Sequence, residues 1–324
     1  MATEMRKASA KGALPAEFVK AMMASQSGQE AGPKAPAEVP VSPRHAPLVA
    51  AILVVNDLNR LRFARAAVNN FVRQTYANKH IVIVNGCDPA AYPAEEKQPD
   101  ETVVQLTDEQ RAERAKVTTR DHPWVTEVKC LPGLSAGFMR NVALDNLPDG
   151  CEWAILWEDD CFAHQNRMSY QMAHRIDADT PVMLRREVRV DVVNAVAAPF
   201  ESAAGIHTTL LFPTVGFNHR FPDTSGYDAA EFWIKNWGGK QVTIPNGGEF
   251  PQLVMQVAFW HGRNALTRQQ FLGDYADPKW FKKAAIGPEE VNYLSAVIGP
   301  VYGANFAAAK AEPQKSPEAL PAKQ

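Results

Sequence analysis

The stretch Leu48–Gly86, "LVAAILVVNDLNRLRFARAAVNNFVRQTYANKHIVIVNG", decides the fold. It opens with an unbroken apolar run closed by Asn56, the pattern of a strand buried on both faces. The segment Asp57–Gln74 then sets Leu58, Leu61, Ala64, Val68, Phe71 and Val72 on one helical face. Lys79–Gly86 is a second β-branched strand, ended by the Asn85-Gly86 turn. A strand, a helix and a strand in about forty residues predict a βαβ unit with parallel strands and a right-handed crossover.

The alternation continues downstream. "TDEQRAERAKV" (Thr107–Val117) carries a Thr-x-x-Gln capping box and predicts a surface helix. "WVTEVKCL" is a third strand, "SAGFMRNVALDNL" a helix entered through Gly133, and "EWAILW" a fourth strand. The sum is an α/β sheet whose ligands bind at the carboxyl ends of its strands. "VMLRREVRVDVV" (Val182–Val193) alternates apolar and charged residues and predicts a strand with a basic side. Arg185, Arg186 and Arg189 are assigned to a solvated face, with contact to a phosphate-bearing acceptor as the alternative.

The flanks differ in composition. Residues 1–45 are rich in Ala, Lys, Pro, Ser and Glu, with room for one short helix at Pro15–Ser25, and residues 308–324 resemble them. Both are expected to be disordered tails around a folded part at 46–307. The chain is 46% hydrophobic with a formal net charge of −2, so no global basic field gathers nucleic acid. Four isolated cysteines form no CxxC pair, and no apolar run approaches a bilayer span. These features point to a soluble cytoplasmic protein with no integral membrane segment.

Chemistry concentrates in Cys151–Cys161, "CEWAILWEDDC". An apolar strand runs into Glu158, Asp159 and Asp160, three carboxylates that repel one another and need compensation. A divalent cation such as Mg²⁺ or Mn²⁺ would supply it through hard oxygen ligands. A solvated acidic turn is the alternative.

Several segments in order resemble the family 2 glycosyltransferases. "VVNDLNRLRFARAAVNNFVRQTYANKHIVIVNG" is similar to the family's opening, and "GLSAGFMRNVALD" to its Gly-x-x-Arg-Asn helix. "WEDDCFAHQNRMSYQ" resembles its acidic motif followed by a helix with an Arg and a Gln, and "FWHGRN" its late His-Gly-x-Asn element. The resemblance implies a GT-A fold, with 46–175 as the nucleotide-sugar half and 176–307 as the acceptor half. It implies transfer of a sugar from a nucleotide-diphosphate donor, a UDP-sugar by preference, to a hydroxyl on a glycan or lipid-linked glycan. A hydroxymethylated base of viral DNA is an alternative acceptor. It makes Asp160 the main ligand of a Mn²⁺ or Mg²⁺ ion, with His261 as the candidate that completes the site, and sets Glu158 or Asp159 on the ribose or donor sugar. Asn56 and the Asn85-Gly86 turn would lie near the nucleobase, and Arg140 near the donor. Asn85 stands where the family commonly has Asp.

Inverting transfer needs a general base opposite the leaving group. Asp223, Asp228 and Glu231 precede an apolar helical start, and the family places its base in this region. Asp228 is preferred over Glu231, although an N-cap Asp with a first-turn Glu needs no function. His261 could equally be structural, Arg140 could pair on the surface, and Trp233, Trp237 and Trp260 are core residues by default. Arg263 could add donors to the diphosphate. A binding protein without catalysis is a competing class. A nucleotidyltransferase is another, disfavoured by the lack of a Gly-rich loop near Leu53–Arg60.

Overall fold

The computed structural model describes residues 46–97, 101–118, 122–192, 196–202, 204–216, 218–224, 228–244, 255–261, 271, 298–299 and 302–303. The short helix expected at Pro15–Ser25 and the tail at 308–324 lie outside the described residues, as does Arg263.

β1 (Leu48–Val55) is the middle of a seven-stranded sheet. It pairs in parallel with β2 (Lys79–Asn85) on one side and with β6 (Cys151–Leu156) on the other. β5 (Val125–Lys129) extends the sheet in parallel beyond β2. On the far side β11 (Leu211–Pro213) runs antiparallel to β6 and is followed outward by β8 (Val182–Leu184) and β12 (Val242–Ile244). The mostly parallel α/β sheet expected from the sequence is present.

The reason lies in β1. Val49, Ala51, Leu53 and Val55 enter the apolar cluster beneath α1 (Leu61–Val72), while Ile52 enters a cluster on the opposite face. A strand covered on both faces has no polar side to show, hence the unbroken apolar run. α1 buries Leu61, Ala64, Val68 and Phe71 as expected. It also buries Phe63, because a turn of 3₁₀ helix at Leu58–Arg60 precedes it and rotates its entry. At the end of β6, Trp157 meets Phe71 edge-on (5.7 Å) and donates its Nε1–H to the Ala67 carbonyl (3.1 Å). This fixes α1 against the segment that carries the acids.

α2 (Asp108–Arg114) has the expected capping box, with Thr107 and Gln110 bonded reciprocally. α3 (Ala136–Asp145), capped by Ser135, packs with α5 (Asp228–Trp237) on the second face. α3 is stitched to residues 219–224. Asn141 exchanges two 2.9 Å hydrogen bonds with the backbone of Phe221, and the Gly137 N–H donates to the Thr224 carbonyl (3.0 Å).

A second sheet holds β10 (Val196–Glu201), β9 (Arg186–Asp191), β13 (Gln256–Trp260) and β7 (Cys161–Ala163), in that order. It corrects the expectation for Val182–Val193. That segment is two strands, β8 and β9, in two sheets, parted at Arg185. The charged side of β9 is buried and not solvated. Glu187 is 3% exposed, accepts from Arg189 (2.8 Å) and Gln256 (3.0 Å), and Arg189 lies over the Phe200 ring. The alternation reflects charges that satisfy one another beneath neighbouring strands. Arg185 pairs on the surface with Glu201 (2.6 Å). Among the described residues no helix is long and apolar enough to cross a membrane.

Gly137 tests the stitching. In a helix, Gly→Ala ordinarily gains up to about 1 kcal/mol. Here the new Cβ would stand 1.8 Å from the Pro222 carbonyl oxygen, a backbone atom that cannot rotate away. Gly137→Ala should therefore destabilise the fold by about 1–3 kcal/mol in urea unfolding, as overpacking does.

Candidate functional site

β1, β2 and β6 end together, and the loops beyond their carboxyl ends carry the charged residues. After β1, Asp57 accepts the Asn59 N–H (2.9 Å) and caps the turn that delivers Arg60. One guanidinium nitrogen of Arg60 bonds both Asp159 and Asp160, the latter at 3.0 Å. From α3, Arg140 bonds Glu158 (2.7 Å) and Asp228, the first residue of α5. Four carboxylates thus face two guanidiniums in a cluster where the Asp159, Asp228 and Arg140 side chains are 3%, 3% and 7% exposed.

Burial pushes Asp159 up to about 7 against the pull of Arg60, and raises Glu158 despite Arg140. Burial alone would weaken both guanidiniums, but the acids around them outweigh it and hold both above the ordinary arginine range. The Asp159 Oδ2 is buried and accepts no hydrogen bond.

The expected residues divide in two. Glu158, Asp159, Asp160, Arg140 and Asp228 come together. Asn56 is exposed at the mouth, one residue beyond β1. His261 follows β13 and is 2% exposed; it stacks on Phe63 (4.2 Å), three residues beyond Arg60. The Phe259 N–H donates to the Asp160 carbonyl (2.8 Å), which ties the His261 segment to the acids. Glu231 stands apart, 44% exposed and paired with Lys235 (2.5 Å). Trp233 is buried in the core, as its default reading had it.

Asn85 turns inward. It is fully buried, donates to Ala115 (2.9 Å) and Glu127 (2.6 Å), and accepts the Cys87 N–H (2.9 Å). Its amide fastens the Ala115–Thr118 loop to the end of β2 and offers nothing to a ligand. The centre of this latch is Glu127, which also accepts from Val117 N–H (3.1 Å), Thr118 N–H (2.9 Å) and the Thr118 hydroxyl (2.6 Å).

The Arg and Gln of "NRMSYQ" are also structural. Arg167, 1% exposed, lies over Trp157 and donates to Gln171 (3.0 Å) and the Leu156 carbonyl (3.2 Å). Gln171 donates to Val182 (3.2 Å) and Thr209 (2.8 Å), joining β6 to β8. Burial lowers Arg167 to about 10.

Two participants escaped the sequence reading. Arg60 sits inside the quoted "NDLNR" turn, and its signal was the first cation after β1. Tyr302, fully buried, donates its hydroxyl to the Cys161 carbonyl (2.9 Å) directly behind Asp160. Nothing local to "VYGAN" marks that contact.

No family model matches the sequence, and no curated protein matches it. Solved structures do. S. aureus TarS aligns at 11% identity and a TM-score of 0.43, over 82% of this chain and 53% of that chain. The chain thus spans about half the length of that TarS chain. The mannosyltransferase PcManGT from Pyrobaculum calidifontis, in complex with GDP-Man and Mn²⁺, aligns at 14% and 0.39, over 85% and 77%. The 4-diphosphocytidyl-2C-methyl-D-erythritol synthase of Anaerococcus prevotii aligns at 10% and 0.36, over 61% and 87%.

The Glu127 latch has a pH signature. Burial raises its carboxyl, but the hydrogen bonds from Asn85, Thr118 and Val117 more than offset this and leave it below the ordinary value. A folded pKa below the unfolded one gives stability above the unfolded value, about 4.3, that is lost as pH falls through the folded value. Glu127→Gln should cost about 1–3 kcal/mol at pH 7, since its NH₂ would face N–H donors. The gap to the wild-type protein should narrow below about pH 4 in unfolding titrations.

Proposed function

We propose that this chain is a nucleotide-diphospho-sugar glycosyltransferase with a GT-A fold, metal-dependent and inverting, acting on a hydroxyl of a glycan or lipid-linked glycan. The carrying observation is the Glu158–Asp160 row at the carboxyl end of β6, joined through Arg140 to Asp228 on the other half of the crevice.

The residues fit a hard divalent cation. Asp159 keeps one buried oxygen unbonded, and it stands beside Asp160 in a row of hard oxygen donors. Among the described residues no three His, Cys, Asp or Glu side chains converge into a metal-holding group. Mg²⁺-type sites commonly use one or two carboxylates, with the substrate's phosphates and water completing the shell. Asp160 would be the main protein ligand, with Asp159 beside it and His261 at the edge. Mn²⁺ or Mg²⁺ bound there would neutralise the diphosphate as the glycosidic bond breaks.

The remaining roles are part of the same proposal. Asn56 and the Gly86 turn border the nucleobase, with Asn85 shaping that turn from beneath. Glu158 and Asp159 face the donor ribose and sugar, and Arg140 steadies them. Asp228 is the general base: it lies in the crevice, whereas Glu231 points to solvent beside Lys235. The four free cysteines suit a reducing cytoplasm.

Thermal unfolding with UDP, GDP, CDP and ADP, each with and without Mn²⁺, tests the reading. One nucleotide should stabilise only with metal, by about 2.7 kcal/mol at a hundredfold excess over Kd. Asp160→Ala should stay folded and lose that shift; an unchanged shift would remove the metal assignment. Asp228→Asn should keep the shift and lose about 10²–10⁴-fold in turnover. Full turnover would move the base elsewhere.

A further inference from the structure

We propose that Arg60 is the resident counter-ion of Asp159 and Asp160 in the donor-free protein and the residue that passes to the donor's diphosphate when the site is filled. The proposal rests on the glycosyltransferase reading for the identity of the ligand, and on geometry for the rest.

A single nitrogen of Arg60 bridges the carboxylates of two successive residues. That is the position a divalent cation takes between paired acids. The pair is not closed as a structural ion pair would be. The Arg60 Nε and the Asp159 Oδ2 are both buried without a hydrogen-bond partner. Two buried groups with structural duties are closed, although the Arg111 Nε and the Gln256 Oε1 are open as well. Both Glu127 oxygens are bonded, and the Arg167 Nε has Gln171. An open buried polar atom calls for an explanation, and an ion or ligand that completes it is one.

The mounting is consistent with movement. Arg60 stands on a three-residue 3₁₀ turn held by Asp57, outside α1, and reaches the acids on a long stem. A planar guanidinium fork matches two phosphate oxygens, so the same group can leave carboxylates for a diphosphate. Arg140, by contrast, uses two nitrogens on two carboxylates from different elements and clamps them together.

The test is calorimetric titration of the full chain with Mn²⁺ alone, then with UDP and with GDP at saturating Mn²⁺, for the wild-type protein, Arg60→Met and Arg60→Gln. Removing the counter-ion should tighten Mn²⁺ binding at least tenfold, because Arg60 no longer competes for the carboxylates of Asp159 and Asp160. The same change should weaken binding of the recognised nucleoside diphosphate at least tenfold. Opposite signs are the signature, since a merely structural arginine would weaken both together. Two neutral replacements guard against one that fails to fold. If metal and nucleotide affinities fall together, or neither moves while the wild-type protein binds both, Arg60 has no such role and the transferase reading stands. If the wild-type protein binds neither Mn²⁺ nor either nucleotide, both are overturned.

Discussion

The structure turns on keeping three successive carboxylates at the end of a buried strand. Glu158, Asp159 and Asp160 leave β6 where the sheet is covered on both faces, and Asp228 joins them from α5. Removing one partner from such a buried pair costs roughly 3–5 kcal/mol, because the remaining charge is stranded. Arg140, nearly enclosed against Asp228, is therefore a structural necessity, and Arg60 supplies charge at the more open end of the row. They come from two different sides: Arg60 from the turn after β1, and Arg140 from the helix before β6. The acids cannot be held unless β1, α3 and β6 are assembled in register.

Much of the remaining fold secures that register. Trp157 docks α1 onto the strand end, Arg167 and Gln171 tie β6 to β8, and Glu127 holds the loop after α2 against β2. Gly137 and Asn141 bind α3 to the segment leading into Asp228. These polar ties are buried and nearly all bonded, which makes them costly to break and specific in geometry. The crevice is thus bounded by elements that cannot shift independently, which is what a site demanding sub-ångström placement of charge requires.

The β1–α1–β2 unit was legible because two-sided burial and helical periodicity leave strong local patterns. The capping box at Thr107 and the position of the acids were legible for the same reason. What failed was long-range. Val182–Val193 read as one strand because alternation does not reveal which sheet a residue joins; the change of sheet at Arg185 is set by the pairing of β9 with β13, some seventy residues away. The family resemblance set the Asn85-Gly86 turn near a nucleobase, and nothing local shows that Glu127 and the Ala115 carbonyl claim the Asn85 amide. The acid row was read as needing positive charge, and spacing does not reveal that two arginines distant in sequence supply part of it.

The two arginines also divide the site by mobility. Arg140 is nearly enclosed, at 7% exposure, and links carboxylates on two elements, so its movement would disconnect α5 from β6. Arg60, at 17%, touches only the acid row and keeps an unbonded Nε. A cation entering the crevice meets the least resistance at Asp159 and Asp160, where a side chain on a short turn must yield. At Glu158 and Asp228 it would have to displace a clamp between two halves of the molecule. The asymmetry leaves the charge at the Asp159–Asp160 end the easier to exchange and the charge at the Arg140 end fixed, with Asp228 oriented by that clamp.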